Sequence, residues 1–258
     1  MRDHYRGLYF SCLLAALLAA PHTAAAADYA AYFNQPTLDP GLQLHTIANA
    51  TTMPVDVPGL SPPWSASTGS GYLALAKAAT DAAQPSNDIA VVSTTFATGG
   101  DFIATAVADF SLNGAGRAGF FFFNNVGFTG MDFHGGELNQ DGGGVFPPDG
   151  FAFTATATMT TLQLRRQGDT LSASYRPDGG AAFIQLFSIT SSQIAGDAYF
   201  EVTNFANVSD AAEVRYASLT ISSVPEPVGY GMLLGGLALL GLAARRGARG
   251  PGRIKKGK

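Results

Sequence analysis

Leu162-Gln163-Leu164-Arg165-Arg166-Gln167-Gly168-Asp169-Thr170-Leu171-Ser172-Ala173-Ser174-Tyr175-Arg176-Pro177-Asp178-Gly179-Gly180 is the stretch that decides the fold. Leu162 and Leu164 alternate with Gln163 and Arg165, the period of two that a half-buried strand requires. Gln167-Gly168-Asp169 supplies a tight turn, because glycine takes positive φ without a Cβ penalty. Leu171, Ala173 and Tyr175 then resume the inward face. Pro177-Asp178-Gly179 makes a second turn, and Phe183-Ile184-Gln185-Leu186 reads as the next strand. The spacing predicts a three-stranded antiparallel meander.

The same grammar runs outward along the chain. Alternation recurs in Ile89 to Phe96, Phe102 to Phe110, Phe151 to Met159 and Tyr199 to Phe205. Ala118-Gly119-Phe120-Phe121-Phe122-Phe123 is apolar at both parities, which predicts a central strand covered on both sides. Thr, Ser, Phe, Val and Gly abound, helix-favouring Glu, Lys and Arg are few, and Gly, Asp, Asn and Pro punctuate the runs. The expected class is all-β, an antiparallel β-sandwich in one domain over residues 28–222. Residues 28–70 carry Pro36, Pro40, Pro54, Pro58, Pro62 and Pro63, which rule out a continuous helix. A loop-dominated start is expected there, with one or two edge strands such as Leu42 to Ile47. In Gly71 to Ala79 the alanines favour helix, whereas Gly71 and the alternation favour strand, the preferred reading.

The wording of the meander resembles the concanavalin A-like (laminin-G-like) jelly-roll superfamily. The residues that carry it are Leu164-Arg165-Arg166-Gln167-Gly168-Asp169, Ala173-Ser174-Tyr175 and Asp178-Gly179. A closing strand, Glu213 to Ile221, fits a last strand that returns beside the first. The resemblance spans about residues 71–222 and implies a fold, not an activity.

Both chain ends read as targeting segments. Arg2 and Arg6, the apolar Leu8 to Ala20 and the small residues Ala24 to Ala27 have the layout of a secretory signal peptide, residues 1–27. At the other end stand Val224-Pro225-Glu226-Pro227, an uncharged run from Val228 to Ala244, and Arg245-Arg246. The prolines keep their predecessors out of the α region, so the motif should be extended and accessible. The run approaches the length of a transmembrane helix, and the cations after it would stay cytoplasmic. This tripartite tail resembles the PEP-CTERM sorting signal of Gram-negative bacteria. The resemblance implies export through the secretion translocon, cutting by signal peptidase and an inner-membrane-anchored precursor. An exosortase would then cut near the motif, delivering the protein to the cell surface or matrix. On this division residues 223–246 are motif plus transmembrane helix, and 247–258 a basic cytoplasmic tail.

Processing changes the charge balance. The whole chain has net charge −4. Between Asp28 and Val224, six basic residues face seventeen acidic ones, a net charge of −11. Such a domain repels nucleic acid and anionic membrane. Its single cysteine, Cys12, lies within the leader, so the mature domain is held without disulfides.

Few residues point to chemistry. A family-16-type glycoside hydrolase would present a Glu-x-Asp-x-x-Glu strand. Glu137, Glu201 and Glu213 do not stand in that arrangement. There is no Gly-x-Ser-x-Gly and no His-Glu-x-x-His, so the expectation is a domain that is not an enzyme. Asp132, Glu137, Asn139, Asp141 and Asp149, read as a glycine-rich loop, are candidate oxygen ligands for Ca²⁺. Trp64 is a candidate for stacking on sugar, and loops near 125–150 for contacting exopolysaccharide. The function expected is a non-catalytic surface or matrix protein. The alternatives are a carbohydrate-active enzyme or a ligand-free structural coat protein.

Overall fold

The computed structural model describes residues 28–48, 55–83, 87–146, 152–154, 159–206, 209–224 and 235–240. They form two antiparallel sheets of eight strands each, packed face to face as a sandwich. The first sheet runs β14 (Ile184–Thr190), β13 (Thr170–Pro177), β12 (Met159–Gln167), β7 (Phe102–Asp109), β16 (Ala212–Ser223), β5 (Leu73–Lys77) and β4 (Trp64–Ser67). Its eighth strand, β1 (Tyr29–Ala31), pairs with the end of β16. The second runs β11 (Ala152–Thr154), β10 (Glu137–Gly144), β9 (Gly127–His134), β8 (Arg117–Asn124), β15 (Tyr199–Phe205), β6 (Ile89–Thr94), β2 (Leu42–Ala48) and β3 (Val55–Pro58).

The meander is β12-β13-β14, as its alternation predicts. Leu162, Leu164, Leu171 and Ala173 are fully buried, and Gly168 takes φ 57° between the paired Gln167 and Thr170. The closing strand β16 lies beside β1, and residues 73–77 are a strand. Its register shifts between Tyr216 and Ser218. The extra residue keeps both Tyr216 and Leu219 in the core, although their spacing is odd.

Volume is divided unevenly between the two inner faces. Ala104, Ala106 and Ala108 of β7 are fully buried, while the second sheet contributes Phe120, Phe122, Phe133 and Phe200 to the same core. Small residues in one sheet make room for rings from the other, which lets the layers close to native density. Phe102 meets Phe200 edge-on at 4.9 Å, and Phe110 stacks on Phe133 at 4.7 Å.

Two expectations are corrected. Residues 137–144 are a strand, not a loose glycine-rich loop. Gly143 and Gly144 sit where a neighbouring ring and backbone leave no room for a side chain; a Cβ on Gly143 would lie 2.5 Å from the Phe128 ring. The segment 28–70 contributes four strands, and β2 lies inside its sheet, between β6 and β3, not at an edge. No helix among the described residues is long and apolar enough to cross a membrane. Residues 235–240 are helical; the remainder of the apolar run, like the leader, lies outside the described residues.

Candidate functional site

The second sheet has one face in the core and one face outward, and the outward face carries the site. Cross-strand register sets Gln43, Ser93, Glu201, Phe121, Gly130 and Asp141 in one row across β2, β6, β15, β8, β9 and β10. Residues two positions along each strand share that face. One neighbouring row therefore holds His45, Val91, Thr203, Gly119, Asp132 and Asn139. The other holds Tyr199, Phe123, Phe128 and Gly143.

Glycine lets this face take its shape. A Cβ on Gly119 would lie 2.5 Å from the Phe121 ring and 2.6 Å from the Met131 carbonyl oxygen. A Cβ on Gly130 would lie 2.6 Å from the same ring and 2.7 Å from the Phe121 Cα. Phe121 therefore lies flat over two bare backbone positions and is only 7% exposed. The run of four phenylalanines was expected to be covered on both sides. Instead Phe120 and Phe122 enter the core, while Phe121 and Phe123 floor an outward depression.

Two adjoining depressions, about 580 and 450 Å³, share Ile47, Phe123 and Glu201 and make one cleft. Phe123 stacks between Tyr199 and Phe128, each at 5.2 Å with interplanar angles of 15° and 19°. Phe121 meets Phe128 edge-on at 6.1 Å. Polar groups surround this aromatic row. Glu201 is 6% exposed at the centre. Arg117 Nε donates to Asp132 Oδ2 at 2.6 Å, and its NH2 group donates to Asp141 Oδ2 at 3.2 Å. Asp132 is 3% exposed, and its Oδ1 has no hydrogen-bond partner. Ser93 Oγ and His45 Nε2 are hydrogen-bonded at 3.0 Å.

The wall of the cleft beside Tyr199 is residues 95–97, and a buried cation holds their loop. Arg166, 2% exposed, follows Leu162 and Leu164 inward. Its Nε donates to the Gly100 carbonyl at 2.6 Å, and its NH1 group to Gly196 at 2.6 Å and Ile194 at 3.2 Å. Burial pulls the guanidinium pKa down, and Asp101 and Asp197 pull it back up.

The structure thus brings three of the sequence candidates, Asp132, Asn139 and Asp141, to one face. Glu137 stands at the exposed end of the same hairpin, opposite His134. Asp149 lies outside the described residues, as do Pro225, Glu226, Pro227, Arg245 and Arg246. Val224 is described, and its N–H donates to the Asp101 carbonyl at 3.0 Å. Trp64 is 4% exposed on the other sheet, packed with Ala90, Ala206 and Ala212, so it is not placed to stack on a sugar in this cleft. Among the described residues no group of three or more His, Cys, Asp or Glu is placed to hold a metal ion. The Asp132 and Asp141 carboxylates converge on a guanidinium instead. Sequence reasoning missed Arg117, Glu201, Phe121, Phe123 and Tyr199 as one site. The alternation Tyr199, Glu201, Thr203 was the signal that these side chains share an outward face.

No protein-family model and no curated protein matches the chain. Solved structures do match, at a level that shows the fold. One belongs to a study titled for endo-acting O-glycanases that members of the human gut microbiota express to initiate mucin breakdown. It matches with TM-score 0.58 and 9% identity, over 76% of this chain and 99% of that one. A Bacillus licheniformis β-glucanase matches with TM-score 0.56 and 11% identity, over 76% and 98%. An endo-β-1,3-glucanase from Pyrococcus furiosus matches with TM-score 0.56 and 11% identity, over 77% and 94%. These neighbours establish the concanavalin A-like jelly-roll architecture. They also overturn the expectation that the domain is not an enzyme, because the same sandwich carries glucanases. Seeking three carboxylates on one strand was too narrow a criterion. Here Glu201, Asp132 and Asp141 reach one face from three different strands.

Proposed function

We propose that the chain is an exported surface or matrix protein that engages exopolysaccharide through the outward cleft of its second sheet. The observation that supports this most is the aromatic row Tyr199, Phe123 and Phe128, flanked by Glu201, Asp132 and Arg117. Rings offer apolar faces to the C–H faces of sugars, while carboxylates and a guanidinium pair with hydroxyl groups. A sheet face is also a rigid platform, which a loop is not. The glucan- and mucin-directed neighbours lend the reading further support.

Sorting belongs to the same proposal. The leader, the Val224-Pro225-Glu226-Pro227 motif, the uncharged run and Arg245-Arg246 would carry the chain through the translocon to an exosortase in a Gram-negative envelope. Asp28 accepts from the Ser223 N–H at 3.0 Å, so the folded domain's first and last residues leave it side by side. Both processing sites would then lie at the same end of the domain.

Retention of the full chain on immobilised matrix polysaccharides tests the binding, with Phe123→Ala and Tyr199→Ala as variants. Each should weaken retention, by about 1–3 kcal/mol for a lost stacking ring if base–aromatic stacking is a guide. The bound polysaccharide is assayed for released oligosaccharide in the same experiment, and release would add turnover to binding. No retention of the parent on any polysaccharide, with no product, would leave a coat protein without a ligand. The mass of the exported protein tests the sorting: a C-terminus at or near Pro225–Pro227 is expected only where an exosortase is present.

A further inference from the structure

We infer that Ser93 and His45 form a nucleophile–base pair that removes O-acyl groups from a glycan in the cleft, an inference that rests on the glycan reading above and names the bond that is broken. Both residues line the 580 Å³ depression. Ser93 Oγ and His45 Nε2 are 3.0 Å apart, within the reach a general base needs to take the proton of an attacking hydroxyl. With the ring proton on Nδ1, Nε2 accepts from the Ser93 hydroxyl. The residues are 7% and 6% exposed, so bulk water competes little for that bond. A hydrogen bond serving only to satisfy two buried groups has no need to border an open depression, and this one does. Backbone pairing fixes both groups from either side. Ser93 pairs with Gln43 and Glu201, and His45 pairs with Val91 and bridges to Gly59.

The pair suits acyl transfer. Ser93 Oγ adds to the carbonyl carbon of an ester while its proton passes to His45 Nε2. The tetrahedral intermediate collapses, the bond from the acyl carbon to the sugar oxygen breaks, and His45 returns the proton to that oxygen. Water then attacks the acyl-serine through the same relay, releasing a carboxylic acid and restoring Ser93. The sum is ester plus water giving alcohol plus acid. Negative charge on the carbonyl oxygen is disfavoured beside Glu201, which flanks Ser93 from β15. On the opposite side stands Gln43, exposed and lining the same depression, whose side-chain N–H groups are donors of the kind that stabilise an oxyanion. Phe96, Ala97, Phe123 and Tyr199 line the depression as well, giving apolar surface to an acyl group and a sugar ring.

Acetate release by the full chain separates this inference from the one beneath it. The probes are p-nitrophenyl acetate and an O-acetylated glucan oligosaccharide. Release from both is expected. Ser93→Ala and His45→Gln, checked for folding by circular dichroism and melting, should each lower it by about a hundredfold or more. A fluorophosphonate should add to Ser93 of the parent, seen by mass on the peptide that carries it, and the adduct should be lost in His45→Gln. That labelling reads nucleophilicity, which a merely structural hydrogen bond does not confer, and it needs no change at Ser93. No acetate from either probe and no adduct in the parent would overturn the pair and leave retention on polysaccharide through Phe123 and Tyr199 standing. Release unchanged in both variants would also overturn it. Release from p-nitrophenyl acetate alone would overturn the sugar ester as substrate, and if retention on polysaccharide failed too, the glycan reading would fall with it.

Discussion

Replacing Arg166 by Met should destabilise the sandwich by about 2–3 kcal/mol, the balance of three effects. The first is lost hydrogen bonding. Gly100 and Gly196 are exposed, so their carbonyls find water once the guanidinium is gone. Thr98 is buried, but its carbonyl keeps the Ala198 N–H at 3.1 Å. Ile194 is fully buried and its carbonyl loses Arg166, an orphan that costs about 1–3 kcal/mol. The second effect is the guanidinium over the Phe102 ring, 4.9 Å from its centroid, which contributes about 1–2 kcal/mol when desolvated. The third acts the other way. Burial disfavours the charge, as the lowered pKa records, so removing it returns part of that loss. For a domain of this size the net loss lowers Tm by roughly 4–12 °C. Urea unfolding of the variant and its parent measures the difference. A variant within 0.5 kcal/mol of the parent, roughly the size of ordinary surface substitutions, would refute the reasoning. The cleft wall should respond as well, because residues 95–101 lose their anchor, and amide exchange there should quicken before the core's does.

Gly130→Ala tests the bare backbone under Phe121. The new methyl meets the Phe120 carbonyl and the Phe121 Cα, which cannot swing aside. Overpacking of about 1–3 kcal/mol outweighs the gain of about 0.4–1 kcal/mol from a stiffer unfolded chain. A variant as stable as its parent would show that the sheet yields there. Tyr216→Phe removes a hydroxyl that ties the two sheets together, 2.9 Å from the Gly119 carbonyl oxygen and 2.7 Å from that of Thr203. The expected loss is about 1 kcal/mol, read from denaturant midpoints. Burial raises the Tyr216 pKa, partly offset by these two bonds, so its stability contribution is present below pH ~10 and falls as pH rises beyond. The parent should therefore lose stability faster than Tyr216→Phe on alkaline titration, and parallel curves would contradict this.

The strands were legible because each is written locally. The alternation in Leu162 to Tyr175, the glycine that needs φ 57° at 168 and the Pro-Asp-Gly turn act over a few residues, and the chain folds as they say. The glycine-rich stretch 135–144 misled for a physical reason. Glycine is a weak strand former by itself, and only the Phe128 ring across the hairpin explains why a larger residue would not fit at Gly143. Arg166 was within reach of the same alternation that placed Leu162 and Leu164 inward, but the carbonyls that receive it come from residues about 30 and 66 positions away.

By itself, then, the sequence determined the class of structure, the faces of most strands and the charge of the middle region. These follow from short-range periodicity, turn chemistry and composition. Strand order and register decided the rest. Glu201, Phe121 and Asp141 share a row only because β15, β8, β9 and β10 lie side by side, and Trp64 is buried only because Ala90, Ala206 and Ala212, from distant segments, pack against it. Side chains from distant segments become neighbours through backbone hydrogen bonds that every residue can make. For that reason no local pattern announces which of them will meet.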